Sequence, residues 1–325
     1  MHIIQEVRKS DNRKISTFGV SIVQKSGNTC KTRDFVLVLI CMVLHNVSGY
    51  ILKVGLFMKV YYCFPGGKAK ALTMSYDDGK HADERLLSIF QKYGIKGTFN
   101  LNYGMMERPE RIDREKIVAL YQGQEIATHT MTHPTISRCP LPKVAKEIME
   151  DREGLEALTG RIIRGHAYPN GSYSPEIKEL FAGLGIAYAR VVEDRADFEL
   201  PTDVMEWHPT CHHKNPKLME LGQWFADYNK KQYLKLMYVW GHSYEFDNDD
   251  NWEVIEDFCK LMGGREDIWY ATNIEIIDYM QVVKRLVYSA NGETVYNPSA
   301  QSAWLVVDDS RVVEVPGGAC MKLGE

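Results

Sequence analysis

The sequence predicts an α/β fold built on a parallel sheet, and three observations predict it. From Lys68 to residue 283, short apolar runs alternate with segments of helical periodicity, the pattern of repeated strand–helix units. Residues able to do chemistry fall where the apolar runs end, and barrels gather their active sites at the carboxyl ends of strands. After residue 284 the alternation stops and short β-like runs separated by turn residues replace it. Periodicity alone does not choose between an open sheet and a closed barrel.

The elements follow in order. Ala71 to Tyr76 is an apolar run of strand length, and Ala82 to Tyr93 sets Leu86, Leu87, Ile89 and Phe90 at helical spacing before stopping at Gly94. Gly97 to Leu101 predicts a strand, Arg114 to Tyr121 a helix, and Glu125 to Thr128 the next strand. Lys143 to Leu158, closed by Gly160, is the most clearly periodic helix. A strand over Gly165 to Tyr168 precedes a helix over Pro175 to Leu184, with proline in its first turn and Gly185 as its stop. Ala187 to Val192 and Lys235 to Trp240 predict strands, Trp252 to Met262 a helix, Ile268 to Thr272 a strand and Ile274 to Val283 a helix. Beyond them, Thr294 to Tyr296 and Ala303 to Val307 flank an Asn297-Pro298-Ser299 loop, and Asp308-Asp309-Ser310 turns into Arg311 to Val315. Residues 284–325 therefore read as a small antiparallel β appendage.

Composition bounds the function. The chain has 325 residues, 45% of them hydrophobic and 25% charged, with a net charge of -4. That is the make-up of a globular protein, and it gives no electrostatic reason to expect nucleic acid. Seven cysteines (30, 41, 63, 139, 211, 259 and 320) are odd in number and contain no Cys-x-x-Cys pair, which points to reduced thiols. Residues 1–57 form an N-terminal extension of different character. A basic polar lead precedes the ten-residue apolar run from Phe35 to Leu44, too short to span a bilayer, which needs about 20 residues. Two readings stand: translation starting at Met58, with a cytoplasmic product, or a membrane anchor over residues 35–58. The barrel then covers residues 58–283.

The most informative tripeptide is Asp77-Asp78-Gly79, which closes the first apolar run. Successive strand side chains face opposite sides, but at a strand end that turns on glycine two carboxylates reach one mouth. One is then free to bind a metal and the other to move a proton. Downstream, the run Glu125 to Thr128 ends in His129-Thr130-Met131-Thr132-His133-Pro134. Histidines four apart share a face of a helical turn. Asp78, His129 and His133 thus make a three-ligand set with positions left for water, the pattern of a catalytic site. Imidazole with carboxylate suits zinc first, with cobalt, nickel, iron or manganese as other candidates for one divalent metal. Asp77 is the candidate general base. Trp207 and Trp240 are candidates for an apolar wall against an acetyl methyl or a sugar face. A cluster of His208, Cys211, His212 and His213 reads as a polar loop and not as a second metal site.

These residues resemble the polysaccharide deacetylases of carbohydrate esterase family 4, the NodB-homology domain. Ser75-Tyr76-Asp77-Asp78-Gly79 matches the family's first motif and His129-Thr130-Met131-Thr132-His133 its second. Ala167-Tyr168-Pro169-Asn170-Gly171 stands for the third, Glu206-Trp207 for the fourth and Trp240-Gly241-His242 for the fifth. The resemblance covers residues 66–283 and rests mainly on the first two motifs. It implies a distorted barrel of seven strand–helix units. It also implies a backbone donor for the oxyanion at Asn170, beside Tyr168, His242 as the acid that protonates the leaving amine, and Glu206 as the carboxylate that orients His242. Two departures stand out. Ala167 occupies the place of the family's third-motif arginine, which contacts the base, with Arg164 and His166 as nearby substitutes, and Glu206 replaces an aspartate. The implied activity is metal-dependent deacetylation of an N-acetylated sugar or polysaccharide of the N-acetylglucosamine type, with an acetylated glycan as partner. A non-sugar amidohydrolase or O-acetyl esterase on the same barrel is the alternative, and a non-catalytic glycan-binding module is a third class.

Overall fold

A computed structural model describes residues 58–324; the expectations for residues 1–57 lie outside them. The first strand, β1 (Val60–Cys63), is followed by the central strand β2 (Lys70–Asp77), buried at every position. Both faces are buried: on one, Leu72, Met74 and Tyr76 join the main apolar cluster, and on the other Thr73 and Ser75 are hydrogen-bonded to Asn273 and Asn100. Helix α1 (Asp83–Tyr93) returns along the sheet and ends on Gly94 in the left-handed region. There follow β3 (Gly97–Leu101), α2 (Arg114–Leu120), β4 (Glu125–Thr128), α3 (Leu141–Thr159), β5 (Gly165–Ala167), α4 (Pro175–Gly183) and β6 (Tyr188–Arg190).

The second half contains β7 (Cys211–His212), α5 (Leu218–Asp227), β8 (Lys235–Gly241), the short α6 (Tyr244–Asn248), α7 (Trp252–Met262), β9 (Ile268–Tyr270) and α8 (Asn273–Lys284). All pairings in this sheet are parallel, in the order β6-β5-β4-β3-β2-β8-β7. β8 takes one edge of β2 along Lys70–Tyr76. On the other edge, β9 pairs Lys70–Leu72 and β3 pairs Met74–Asp77. The barrel closes through one irregular segment. Trp207 exchanges backbone hydrogen bonds with Ala189 and Val191 beside β6, and Thr210 N donates to Tyr238 O of β8. The distorted seven-unit barrel expected from the sequence is the observed architecture.

Sequence periodicity missed β7, α5 and α6. Two residues of strand carry no period, and the α5 stretch follows a loop rich in polar residues. The His208–His213 region is not the polar loop expected: Cys211 and His213 are buried, and Cys211–His212 pairs with Val239–Trp240.

The remaining strands are β10 (Val287–Tyr288), β11 (Thr294–Tyr296), β12 (Ala303–Val307), β13 (Arg311–Val315) and β14 (Cys320–Lys322). They form two antiparallel three-stranded sheets, and one of these takes β1 as its edge, in the order β1-β12-β13. The appendage therefore borrows a strand from before the barrel. Tyr279 of α8 ties it down, donating its hydroxyl to Cys63 O and accepting from Trp304 N. Among the described residues no helix is long and apolar enough to cross a membrane.

Candidate active site at the carboxyl mouth of the barrel

Asp77 is the last residue of β2, His129 follows β4, Arg190 ends β6, His212 ends β7 and His242 follows β8. Parallel strands of one barrel bring all these positions to one mouth. The Asp77-Asp78-Gly79 turn is built on left-handed backbone: Asp78 has φ 84° and Gly79 φ 62°. A side chain at 79 would meet Leu101 Cδ2 at 2.7 Å. The turn is fastened by Asp78 N donating to Asn100 O (2.9 Å) and Ile112 N to Gly79 O (3.0 Å).

The second motif is a bend, not the helical turn expected. Thr130 and His133 both take positive φ, 65° and 57°, a costly conformation for residues with side chains. Helix α3 holds it there. Thr132 N and Oγ1 donate to the two oxygens of Glu147, each at 2.8 Å, and Met131 N donates to Glu147 O. Asp151, one turn further along, accepts from His129 N (3.1 Å) and Tyr103 N (2.6 Å), and Asn102 Nδ2 donates to the His129 and Thr130 carbonyls. The His129 and His133 rings end 4.8 Å apart in an edge-to-face pair.

The ligand atoms of Asp78, His129 and His133 lie within 4.8 Å of one another. The donor set fits a divalent metal on two further counts. His129 Nδ1 lies 2.7 Å from the Ala167 carbonyl, which places the proton on Nδ1 and leaves Nε2 bare, the arrangement usual for a ligating histidine. Burial, with His133 beside it, carries the His129 pKa down to about 4 against the pull of Asp77 and Asp78, so the ring is neutral at pH 7. Burial opposes ionisation of Asp78, but His129, Arg111 and His242 outweigh it and hold the carboxyl below its ordinary range.

Asp77 is buried with a guanidinium against it. Arg190 Nη2 donates to Asp77 Oδ2, and Asn100 Nδ2 donates to Oδ1 at 2.8 Å. The same Oδ2 lies 3.9 Å from His129 Nε2 and 4.0 Å from His242 Nε2. Burial pushes the Asp77 pKa up, but Arg190, His129 and His242 together bring it down to about 2. Arg190 itself is sealed from solvent, with its guanidinium 4.3 Å from the centre of the Trp240 ring. Trp240 Nε1 donates to Asp194 Oδ1 (2.8 Å) and Asp194 Oδ2 accepts from His212 N (2.7 Å).

The arginine absent from position 167 is thus supplied by position 190, one strand over. Neither nearby substitute serves: Arg164 forms a paired ion bridge with Asp278, and His166 Nδ1 lies 2.8 Å from Thr128 Oγ1 in the core. An arginine closing a predicted barrel strand, Ala187 to Val192, is the signal that would have found it.

A second correction concerns His242. Its Nδ1 lies 3.1 Å from Glu245 Oε2, which also accepts from His242 N (3.1 Å). Glu206 instead bonds Lys178 (2.6 Å) and lies 3.4 Å from His208 Nε2. The carboxylate orienting His242 is Glu245, three residues on, in α6. His212 Nε2 reaches the same Glu245 oxygen at 3.1 Å, and His213 Nε2 lies 3.4 Å from it. His212, His242 and Glu245 also cluster closely enough for a metal. However, Lys214 N donates to His212 Nδ1, which puts the ring's proton on Nε2, facing Glu245. The cluster is a hydrogen-bonded network. Burial lowers the His242 pKa, but Glu245, Asp77 and Asp78 overcome it and leave the imidazole easier to protonate than usual. His213 packs on Phe246 (4.1 Å between ring centres) and requires glycine at 241, where a Cβ would lie 2.0 Å from its Nδ1.

The candidate substrate residues divide. Trp207 is core, edge-on to Tyr188 and Tyr238, and forms no wall at the mouth. Tyr168 is also buried, donating its hydroxyl to Met205 O (2.9 Å). Trp240 is mostly buried and backs Arg190. Asn170 is exposed in a tight turn, with φ 56° and its Nδ2 3.3 Å from Thr135 Oγ1.

Fold and site together define an α/β barrel with a carboxylate-bearing mouth where Asp78, His129 and His133 could hold a metal ion. Residues 65–189 match the family model described as polysaccharide deacetylase. A chitooligosaccharide deacetylase from Sinorhizobium fredii is 28% identical over 140 residues, which is 42% of this chain and 63% of that protein. The chain therefore spans less than two thirds of that relative's length. Two solved structures share the fold. A Mycobacterium smegmatis protein named "putative polysaccharide deacetylase" has TM-score 0.52 at 16% identity, over 68% of this chain and 93% of that one. Puue allantoinase has TM-score 0.53 at 14% identity, over 66% and 91%.

Proposed function

We propose that the protein is a metal-dependent hydrolase that removes acetyl groups from an N-acetylated sugar or glycan of the N-acetylglucosamine type. One observation carries the reading. An ionised Asp77 and a protonatable His242 face each other across 4.0 Å beside the Asp78–His129–His133 set. When bound by those three residues, a divalent metal, zinc by ligand type, supplies Lewis acidity toward the acetyl carbonyl and the attacking water.

The chain's own residues do the rest. Asp77 takes a proton from the attacking water, and Arg190 keeps it charged for that purpose. Asn170 N–H is the candidate donor to the oxyanion, by correspondence with the family's third motif. His242 Nε2 gives a proton to the departing amine while Glu245 holds Nδ1, fixing the tautomer and favouring the charged ring. The atoms balance: water adds to the carbonyl carbon, the C–N bond breaks, acetate leaves and the free amine keeps the proton from His242.

The second reading is a non-sugar amide substrate on the same machinery. Assaying the zinc-loaded protein against chitooligomers, acetylated xylan and cyclic amides separates the two. Acetate release from chitooligomers, abolished by Asp78→Ala, is the expected result. Turnover of cyclic amides alone would select the alternative, and unchanged turnover in Asp78→Ala would remove the mechanism.

A further inference from the structure

The loop between β3 and α2 delivers a cation that the proposed mechanism does not use. Arg111 Nη1 lies 3.2 Å from Asp78 Oδ1, and the side chain is 94% buried by its 6% exposure. The placement is built by backbone. Lys80 and Arg111 form an antiparallel bridge, Ile112 N donates to Gly79 O and Arg111 N donates to Arg108 O at 2.9 Å. Neither Arg111 Nε nor Nη1 has a hydrogen-bond partner, so the contact with Asp78 is an ion pair, and Nη2 contacts the Met105 sulfur at 3.8 Å. Among the described residues, Asp78 is the one carboxylate within ion-pair distance of the buried guanidinium.

The charge balance at the mouth follows. Asp77 pairs with Arg190 and Asp78 with Arg111, so each carboxylate already has a cation. A divalent ion then adds two positive charges beside two carboxylates that are each already paired with a cation. Like charges in a buried site repel strongly because the effective dielectric is low. Ligating carboxylates are ordinarily held by hydrogen-bond donors that orient them; a guanidinium both orients the ligand and withdraws electron density from it.

We propose that Arg111 is a positioning residue of the metal centre: it holds Asp78 through Oδ1, leaves the other oxygen for the metal, and keeps the centre electron-poor. The inference rests on the metal reading above. It says that the chain gives up metal affinity in return for a centre that better stabilises the negative charge developing on the acetyl oxygen.

The test is zinc affinity of the full chain, measured by competition with a chromophoric chelator, alongside kcat and KM. Arg111→Met should bind zinc at least about tenfold more tightly, the scale of removing a nearby like charge, while kcat falls about tenfold or more with little change in KM. Arg111→Lys, which keeps the charge, should stay within about threefold of the wild-type zinc affinity. Unchanged or weaker zinc binding in Arg111→Met overturns the inference, the weaker result making Arg111 an orienting group alone. If Arg111→Met does not fold, tighter binding in Arg111→Lys overturns it equally. Zinc affinity decides the matter even if no acetylated sugar is turned over, so this inference and the deacetylase reading fail separately.

Discussion

Asp77 and Glu125 are both buried carboxyls in one sheet, yet their pKa values are driven in opposite directions. Asp77 ends β2 at the carboxyl mouth, against Arg190 and Asn100, and its pKa is brought down to about 2. Glu125 opens β4 at the amino end and accepts hydrogen bonds from Thr98 Oγ1, the Tyr188 hydroxyl and Ile274 N. Burial there outweighs those three donors and pushes the pKa up to about 7. Neutral donors do not offset the desolvation of a buried carboxylate, whereas a guanidinium in contact, with two imidazoles nearby, does. The barrel sets a buried cation against Asp77 at the mouth, and among the described residues none is in ion-pair contact with Glu125.

Removing that cation gives the largest expected effect. Arg190→Met should lower kcat/KM by roughly a thousandfold, toward the upper range for loss of a general base. It should also cost about 3–5 kcal/mol of stability, the scale of stranding one partner of a buried pair. Steady-state kinetics and urea unfolding read the two separately. A kcat/KM near wild type would make Arg190 structural only.

The next comparison sets Glu245 against Glu206. Glu245→Gln should reduce kcat by about ten- to a hundredfold, the scale of a lost orienting carboxylate, and flatten the limb of the pH–rate profile that reports His242. Glu206→Gln, whose carboxylate faces Lys178, should change kcat less than about twofold. Equal effects of the two substitutions would remove the distinction.

The smallest effect falls on Glu125 and on stability. Its folded pKa lies above the unfolded value, so the folded state binds more protons between about pH 4.5 and 7. Stability contributed by the protonated group is present at low pH and lost as pH rises through that window, by about 3 kcal/mol in total. Glu125→Gln should remove that part of the slope when urea midpoints are compared at pH 5 and pH 8. An unaltered pH dependence would mean that Glu125 is ionised in the folded protein.

Much of this was legible in the sequence because it depends on local order. β3, β4 and α7 coincide with their expected bounds, since each combines apolar spacing with a clear stop. The Asp77-Asp78-Gly79 and His129–His133 motifs read correctly as strand-end groups because ligands on parallel strands need only end their strands to meet. What was not legible was pairing across the sheet. Arg190 reaches Asp77 over 113 residues, and nothing local marks it except its place at a strand end. Glu245 lay only three residues from His242, but the five-residue helix that presents it is too short to show a period. The bend at Thr130 depends on Glu147 and Asp151, whose four-residue spacing marks one face of α3 without indicating what that face would hold.

In the proposed mechanism Asp77 acts as base beside a metal it does not bind. The most direct measurement is acetate release from N-acetylglucosamine oligomers by wild type and Asp77→Asn, each with its zinc content determined, before chelation, after it and after zinc is restored. The account predicts release that stops on chelation and returns with zinc in the wild type. It also predicts an Asp77→Asn protein that retains one zinc and releases no acetate. Release that survives chelation, or that persists in zinc-loaded Asp77→Asn, would contradict it.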